Sequence, residues 1–366
     1  SLLGLDCITR IVDKLSMCSE ILIAPALPER PYNIEGLPLI SKLARAAHHQ
    51  YRKKWAKRLG KKPARFAYDF AHGTLGLSGR GVMTLEAKDG LKRASFDGRK
   101  PHFGSLYFGH DAAGYEPDVS GLLASLLIGN RTFFDIGANW GYFTFYAASL
   151  KNFDGPIASF EPAPATRQDL QGLIDEFGLS SRITVHGVAL SSEAGTATMA
   201  IHEKETGLNR ITGSGVGREG AGRVDVPLQR LDDLPVAPDV IKMDVEDHEF
   251  EALSGAKNVL ATAKPFIVVE SWLTPDKPVR TLRALELLED AGYQLYQPCW
   301  RVRSDEGYVV FPDPGHRMPG NDCRLALVPF ASEQRFMLAQ QMNVFACHRS
   351  RVGELKADDF ESLAEK

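Results

Sequence analysis

From residue 132 onward, short runs dense in Val, Ile and Phe alternate with longer stretches whose apolar residues recur at helical spacing. The runs at 132–136, 157–161, 183–190, 240–244 and 266–270 are rich in Val, Ile and Phe, the pattern of strands buried on both faces. Between them, 142–150, 164–177, 249–261 and 279–291 carry the 3.6-residue period of amphipathic helices. The resulting order, βαβαβ followed by βαβα, predicts an α/β fold with a parallel sheet. Two further strands, 196–201 and 223–228, flank a glycine-rich segment without a period. After Gly292, YQLYQPCW, GYVVFP and CRLALVPF read as strands that finish the sheet, and a polar helical tail is expected over 336–366.

Residues 1–110 have a different texture and are expected to form a partly helical N-terminal region for substrate recognition, ahead of a catalytic domain over 111–335. GTLGLSGRG and SFDGRKPHFG read as irregular, because Gly and turn formers interrupt any period. Between Lys42 and Arg65 lie ten Lys or Arg and no acid, with Leu39, Leu43, Ala47, Tyr51, Trp55 and Leu59 every fourth position. This basic amphipathic helix is either a solvated face or a contact for an anionic surface.

Composition narrows the class. The 366 residues are 44% hydrophobic and 24% charged with a net charge of −3, which fits a globular protein and gives no global reason to expect a nucleic-acid partner. Five scattered cysteines without a CxxC pair suggest neither a disulfide framework nor a zinc site, so a reducing cytoplasm is the expected location.

The candidate chemistry begins at FFDIGANWGYFT, residues 133–144, where a strand ends in Asp135 and runs through Gly137, Ala138, Asn139 and Gly141 into a helix opening with Tyr142. Such a turn brings backbone N–H groups and a helix N-terminus to a ligand. It departs from the GxGxxG dinucleotide fingerprint, and Trp140 is bulky where a pyrophosphate needs close approach. A carboxylate at the strand end suits a cofactor with an ammonium group, S-adenosylmethionine. Glu161, twenty positions after Gly141 and at the end of the second strand, is placed to accept both ribose hydroxyls.

These residues resemble the FkbM-type S-adenosylmethionine-dependent methyltransferases. The resemblance lies in FDIGANWGYFT, the following FEP, VALSSEAGTATM, LQRLDDL and IKMDVEDHEFEALSGA, with GYEPDVSGLL as the lead-in that contains Glu116. It implies a class I methyltransferase fold, Rossmann-like, with a seven-stranded, mostly parallel sheet and one antiparallel strand near the edge. It also implies O-methylation of a hydroxyl on a sugar or natural product. Carried over, Asp135, Gly137, Asn139 and Gly141 surround the methionine part, Glu161 the ribose, and Ala189, Leu190 and Ser191 the adenine; Glu116, Ala138, Tyr142 and Asp244 join the cofactor set. Asp247 stands where the family usually has Gly.

Methyl transfer to a hydroxyl benefits from a base in reach of the acceptor. The fourth strand ends in Asp244, Val245, Glu246, Asp247 and His248. His248 is the base candidate on intrinsic pKa, with Asp244 or Glu246 orienting it, or else it caps the helix that follows. Arg210 and Trp272 are the substrate-contact candidates, for an acidic group and for stacking on a sugar. Asp244, Glu246 and Glu270 could converge on a cation, yet ESW after the fifth strand lacks the Asp-Asn pair of metal-assisted transferases, and metal-independent transfer is expected. A small-molecule or glycan acceptor is the expected partner. The competing readings are a non-catalytic cofactor-binding module and a nicotinamide-dependent oxidoreductase.

Overall fold

The structure is a computed structural model that describes residues 20–26, 31–36, 70, 74, 80–97, 100, 114–201, 209–211, 222–274, 277–305, 307–312, 318–320 and 322–362. Its centre is a sheet whose seven core strands are β1 (Phe133–Ile136), β2 (Ile157–Phe160), β3 (Ile183–His186), β4 (Val240–Met243), β5 (Phe266–Trp272), β6 (Tyr293–Ser304) and β7 (Gln341–His348). They lie in the order β3-β2-β1-β4-β5-β7-β6. β1 to β5 pair in parallel, whereas β7 runs antiparallel to both β5 and β6.

Strand residues alternate between two buried faces, which is why the runs are mostly apolar. Phe133 packs with Leu122, Phe145 and Leu170 of helices α1 (Pro117–Leu126), α2 (Tyr142–Ser149) and α3 (Pro164–Phe177). Its neighbour Phe134 packs with Leu253, Leu260 and Leu285 of α4 (Glu249–Ser254), α5 (Lys257–Thr262) and α6 (Pro278–Asp290). This is a doubly wound α/β arrangement, and it opens its cleft at the carboxyl ends of the parallel strands.

Several expectations need correction. The sheet does not stop at seven strands: Cys323–Phe330 pairs with β6, Gly307–Pro312 forms a hairpin with β6, and Leu22–Ile23 lies between Cys323–Phe330 and Glu361–Ser362. The stretch 336–366 is not a helical tail, because it contributes β7, whose residues Val344 to Cys347 are fully buried. The long strand over 183–190 is two short ones, Ile183–His186 and Ala189–Leu190, parted at Gly187, where a Cβ would meet the Arg167 guanidinium at 2.4 Å. The helix over 249–261 breaks into α4 and α5 at Gly255, which sits so tightly against the Ser191 carbonyl that a Cβ would lie 2.0 Å from its oxygen.

Within residues 1–110 the described secondary structure is mostly strand. Tyr32–Glu35, Arg80–Ala87 and Gly90–Asp97 form a three-stranded antiparallel sheet, and the turn between the last two is Lys88-Asp89-Gly90 with Gly90 at φ +119°. Part of SFDGRKPHFG is therefore ordered strand rather than irregular chain. Met83, Leu85 and Phe96 join the same core as α2 and α3, and the Tyr32 hydroxyl donates to the Tyr142 carbonyl. The basic segment 42–65 lies outside the described residues. Among the described residues no helix is long and apolar enough to cross a membrane.

Candidate active site

The turn after β1 is built by backbone constraints. Gly137 has φ +79°, and a Cβ there would stand 1.8 Å from the Asp244 carbonyl oxygen, so only glycine lets β1 and β4 approach at this level. The N–H groups of Gly137 and Ala138 both donate to the Phe160 carbonyl at 3.0 Å, which ties the turn to the end of β2. Asn139 is left-handed at φ 51°, a conformation Asn tolerates better than most residues. Trp140, Tyr142 and Phe143 are buried and stack with Tyr32 and Tyr115, so they pack beneath the turn.

Glu161 clamps this turn to the next one. Its Oε2 accepts from the Asn139 N–H at 2.9 Å and its Oε1 from the Ala163 N–H at 2.8 Å, and each oxygen keeps a second lone pair. Burial pushes its carboxyl up to about 7 against the pull of those two bonds. Asp135 sits lower, fully buried, with Oδ2 accepting from Thr144 Oγ1 at 2.6 Å and Oδ1 without a partner. Burial raises its pKa, partly offset by Lys242. Asp135 thus supports the turn from below and is closed to solvent.

Lys242 was not among the sequence candidates, although a lysine inside the buried run VIKM is itself a signal. It pairs across the sheet with Asp135, places Nζ 3.2 Å from Asp244 Oδ2, and lies 5.0 Å over the Phe143 ring. Burial alone would lower its pKa, but Asp244, Asp135 and Glu116 outweigh that and hold the ammonium above its ordinary range. Glu116, buried at the N-cap of α1 with φ 43°, belongs to the same charge cluster.

At the ends of β4 and β5, oxygens of Asp244, Glu246 and Glu270 come within 4.8 Å of one another. The three carboxylates could supply ligands to a divalent cation. Burial and then Asp244 push Glu246 up to about 8. The same two causes, with Glu116 added, raise Glu270 well above the carboxylate range, and its Oε1 accepts from Gln341 Nε2 at 2.5 Å. Glu246 and Asp247 are both left-handed, φ 51° and 75°, and Asp247 Oδ2 lies 3.3 Å from Arg280.

The other candidates are less central. His248 is the N-cap residue of α4, yet its side chain makes no capping bond. Its Nε2 lies 3.1 Å from Ser191 Oγ, beside buried Ala189 and Leu190. Burial lowers its pKa, so it is neutral at pH 7. Arg210 is half-buried on the short strand Arg210–Ile211, near enough to Glu246 to lower its pKa. Trp272 is 39% exposed at the end of β5. The rest of the glycine-rich segment, Arg218 included, lies outside the described residues.

The family model for the methyltransferase FkbM domain matches residues 135–295, a span that runs from the glycine turn through β4 and β5 into β6. Methyltransferase sdnD of Sordaria araneosa is 30% identical over 197 residues, covering 44% of this chain and 73% of that protein. The chain belongs to the FkbM-type methyltransferase family. Among solved structures, methyltransferase FkbM from Methylobacillus flagellatus KT is 20% identical at a TM-score of 0.34, over 54% of this chain and 43% of that one. Aeropyrum pernix fibrillarin, solved with natively bound S-adenosyl-L-methionine, is 12% identical at a TM-score of 0.33, over 68% and 94%.

As an FkbM-type methyltransferase the protein uses S-adenosylmethionine, and the donor set fits that cofactor. Glu161 keeps free lone pairs at the end of β2, and Glu116, Asp244, Glu246 and Glu270 are crowded together, opposed by Lys242 and, at Glu246, by Arg210. Raised carboxyl pKa values mark a region that a cationic ligand would relieve.

Proposed function

We propose that this methyltransferase acts on a hydroxyl of a sugar or natural-product acceptor held at the ends of β4 and β5. The observation that carries the reading is the meeting of Asp244, Glu246 and Glu270 beside the glycine turn. S-adenosylmethionine supplies an electrophilic methyl group on a sulfonium centre. Gly137, Asn139, Glu161 and the Ala189–Leu190 strand would hold the cofactor, and Lys242 keeps the Asp244 carboxylate fixed at the strand end.

An alcohol attacks poorly while protonated, so a base at the acceptor lowers the barrier. Glu246 is the better base on geometry. It stands at the strand end, and burial tunes it to about 8, whereas His248 Nε2 faces Ser191. Glu246 takes the hydroxyl proton, while Glu270, protonated by its surroundings, can donate to a second hydroxyl of the acceptor. Trp272 offers an exposed aromatic plane beside them.

The test is transfer of a labelled methyl group to candidate polyols and natural products, read by mass spectrometry in the presence of EDTA. Glu246→Gln should cut turnover on the order of 10²–10⁴-fold and leave S-adenosylhomocysteine affinity unchanged. Turnover in the wild type should rise with pH to a plateau above about 8. A Glu246→Gln protein with normal turnover removes Glu246 as base, and methyl incorporation on nitrogen or carbon alone overturns the hydroxyl reading.

A further inference from the structure

Next to the strand-end carboxylates lies a second cavity, of about 590 Å³, that none of the motifs assigns. This volume is in the range of small-molecule sites. Its walls come from the N-terminal end of α6, from the N-cap and first turn of α4, and from Ile211 on the short strand Arg210–Ile211. Lys277, Arg280 and Arg283 recur every third position at the start of the 13-residue α6, so they share one face, and all three line the cavity.

The charge is only partly answered. Arg283 Nη2 is 2.6 Å from Glu251 Oε1 and Arg280 Nη2 is 3.3 Å from Asp247 Oδ2. Lys277 is exposed at the rim and has no carboxylate partner among the described residues. The helix N-terminus adds its own partial positive charge on the same side. His248, buried at 7% exposure, and Glu251 back this wall, with His248 Nδ1 3.8 Å from Glu251 Oε2.

We infer that this cavity binds the acidic part of the acceptor, a carboxylate or phosphate on a hydroxylated skeleton, with the anion on Lys277 and Arg280. The inference rests on the methyltransferase reading of the adjoining cleft for identifying the ligand as the acceptor. Arg280 joins the two regions, because it also borders the cleft containing Glu270 and Trp272. Asp247, in place of the family's usual glycine, holds Arg280 by its carboxylate. An acceptor anchored here would reach past Asp247 to the proton acceptor Glu246, one residue away in the chain.

The test is saturation-transfer NMR on the full chain with S-adenosylhomocysteine bound, with D-glucuronate, D-glucose 6-phosphate and D-glucose as probes. At least one acidic probe should bind about tenfold or more tightly than glucose, and Lys277→Glu should weaken that probe by a similar factor. Lys277 is exposed, so its replacement leaves folding intact, and S-adenosylhomocysteine affinity serves as the control. Preference for glucuronate alone assigns a carboxylate, and preference for glucose 6-phosphate alone assigns a phosphate. Equal binding of glucose, or an unchanged acidic probe in Lys277→Glu, overturns the inference while normal S-adenosylhomocysteine binding preserves the methyltransferase reading. Failure of the wild type to bind S-adenosylhomocysteine would instead break the reading on which it rests.

Discussion

At the scale of single residues, the site is governed by carboxylates that burial keeps close to neutral. Glu161 titrates at about 7 in the absence of ligand, and only its ionised form can accept two hydroxyl bonds while retaining those from Asn139 and Ala163. S-adenosylhomocysteine affinity should therefore fall as pH drops through about 7, by up to about tenfold per pH unit, and Glu161→Gln should bind weakly with a flattened profile, as calorimetry at several pH values would show. Glu270 makes a stability prediction of opposite use. Its folded pKa is raised, so the ligand-free protein holds its full contribution below the unfolded carboxylate range and loses it as pH rises toward the folded value. Glu270→Gln should raise the melting temperature at pH 8 and do little at pH 5; an equal effect at both would show that Glu270 is not the strained acid. The place of Glu161 at a strand end was legible in the sequence; its bonds from the Asn139 and Ala163 N–H groups were not, since they depend on how two turns meet. Lys242 was overlooked since its role depends on cross-strand register with Asp135, which one strand cannot reveal.

At the scale of elements, β1 to β5 were readable because strands covered on both faces are rich in Val, Ile and Phe on both. The breaks at Gly187 and Gly255 were not, since each is set by a contact from elsewhere: Arg167 for one and the Ser191 carbonyl for the other. The end of β5 depends on a residue with no local signal at all. Arg335 is fully buried, and its guanidinium donates to Ser271 Oγ at 2.8 Å, to the Ser271 carbonyl at 2.6 Å, to Ala339 at 2.6 Å and to Gln340 at 3.1 Å. Burial lowers its pKa to about 10, which leaves it charged at neutral pH. It pins the Glu270-Ser271-Trp272 corner of the proposed acceptor site to the chain entering β7. Arg335→Met would strand those acceptors at a cost of about 2–4 kcal/mol, measurable by urea denaturation. It should also raise KM for the acceptor more than that for the cofactor, whose proposed contacts lie at the ends of β1 and β2.

For the whole molecule, the decisive element is the one taken from the end of the chain. β7 lies between β5 and β6 and hydrogen-bonds to both, with Glu270↔Asn343 on one side and Leu295↔Ala346 on the other. The sequence of QMNVFACH gives little warning of this, for its partner in β5 lies some 70 positions upstream and long-range pairing, not local propensity, settles its state. A catalytic domain ending at 335 is accordingly too short. Such a chain would expose the inner edges of β5 and β6 and lose the buried side chains Val344, Phe345, Ala346 and Cys347 from both faces. It should unfold without cooperativity and fail to bind S-adenosylhomocysteine. A chain ending at 348 keeps the central strand and gives up the C-terminal helix Val352–Ala357 with the buried Leu355 and Phe360, the contacts of Arg351 with the Lys264 carbonyl and the Phe266 ring, the pairing of Glu361–Ser362 with Leu22–Ile23, and the 2.6 Å ion pair of Arg131 with Asp358. It should retain cofactor binding with a lower midpoint in urea. Circular dichroism and calorimetry on the two truncations separate these outcomes, and cooperative folding of the 335 form would show that the methyl-donor cleft stands without the antiparallel strand.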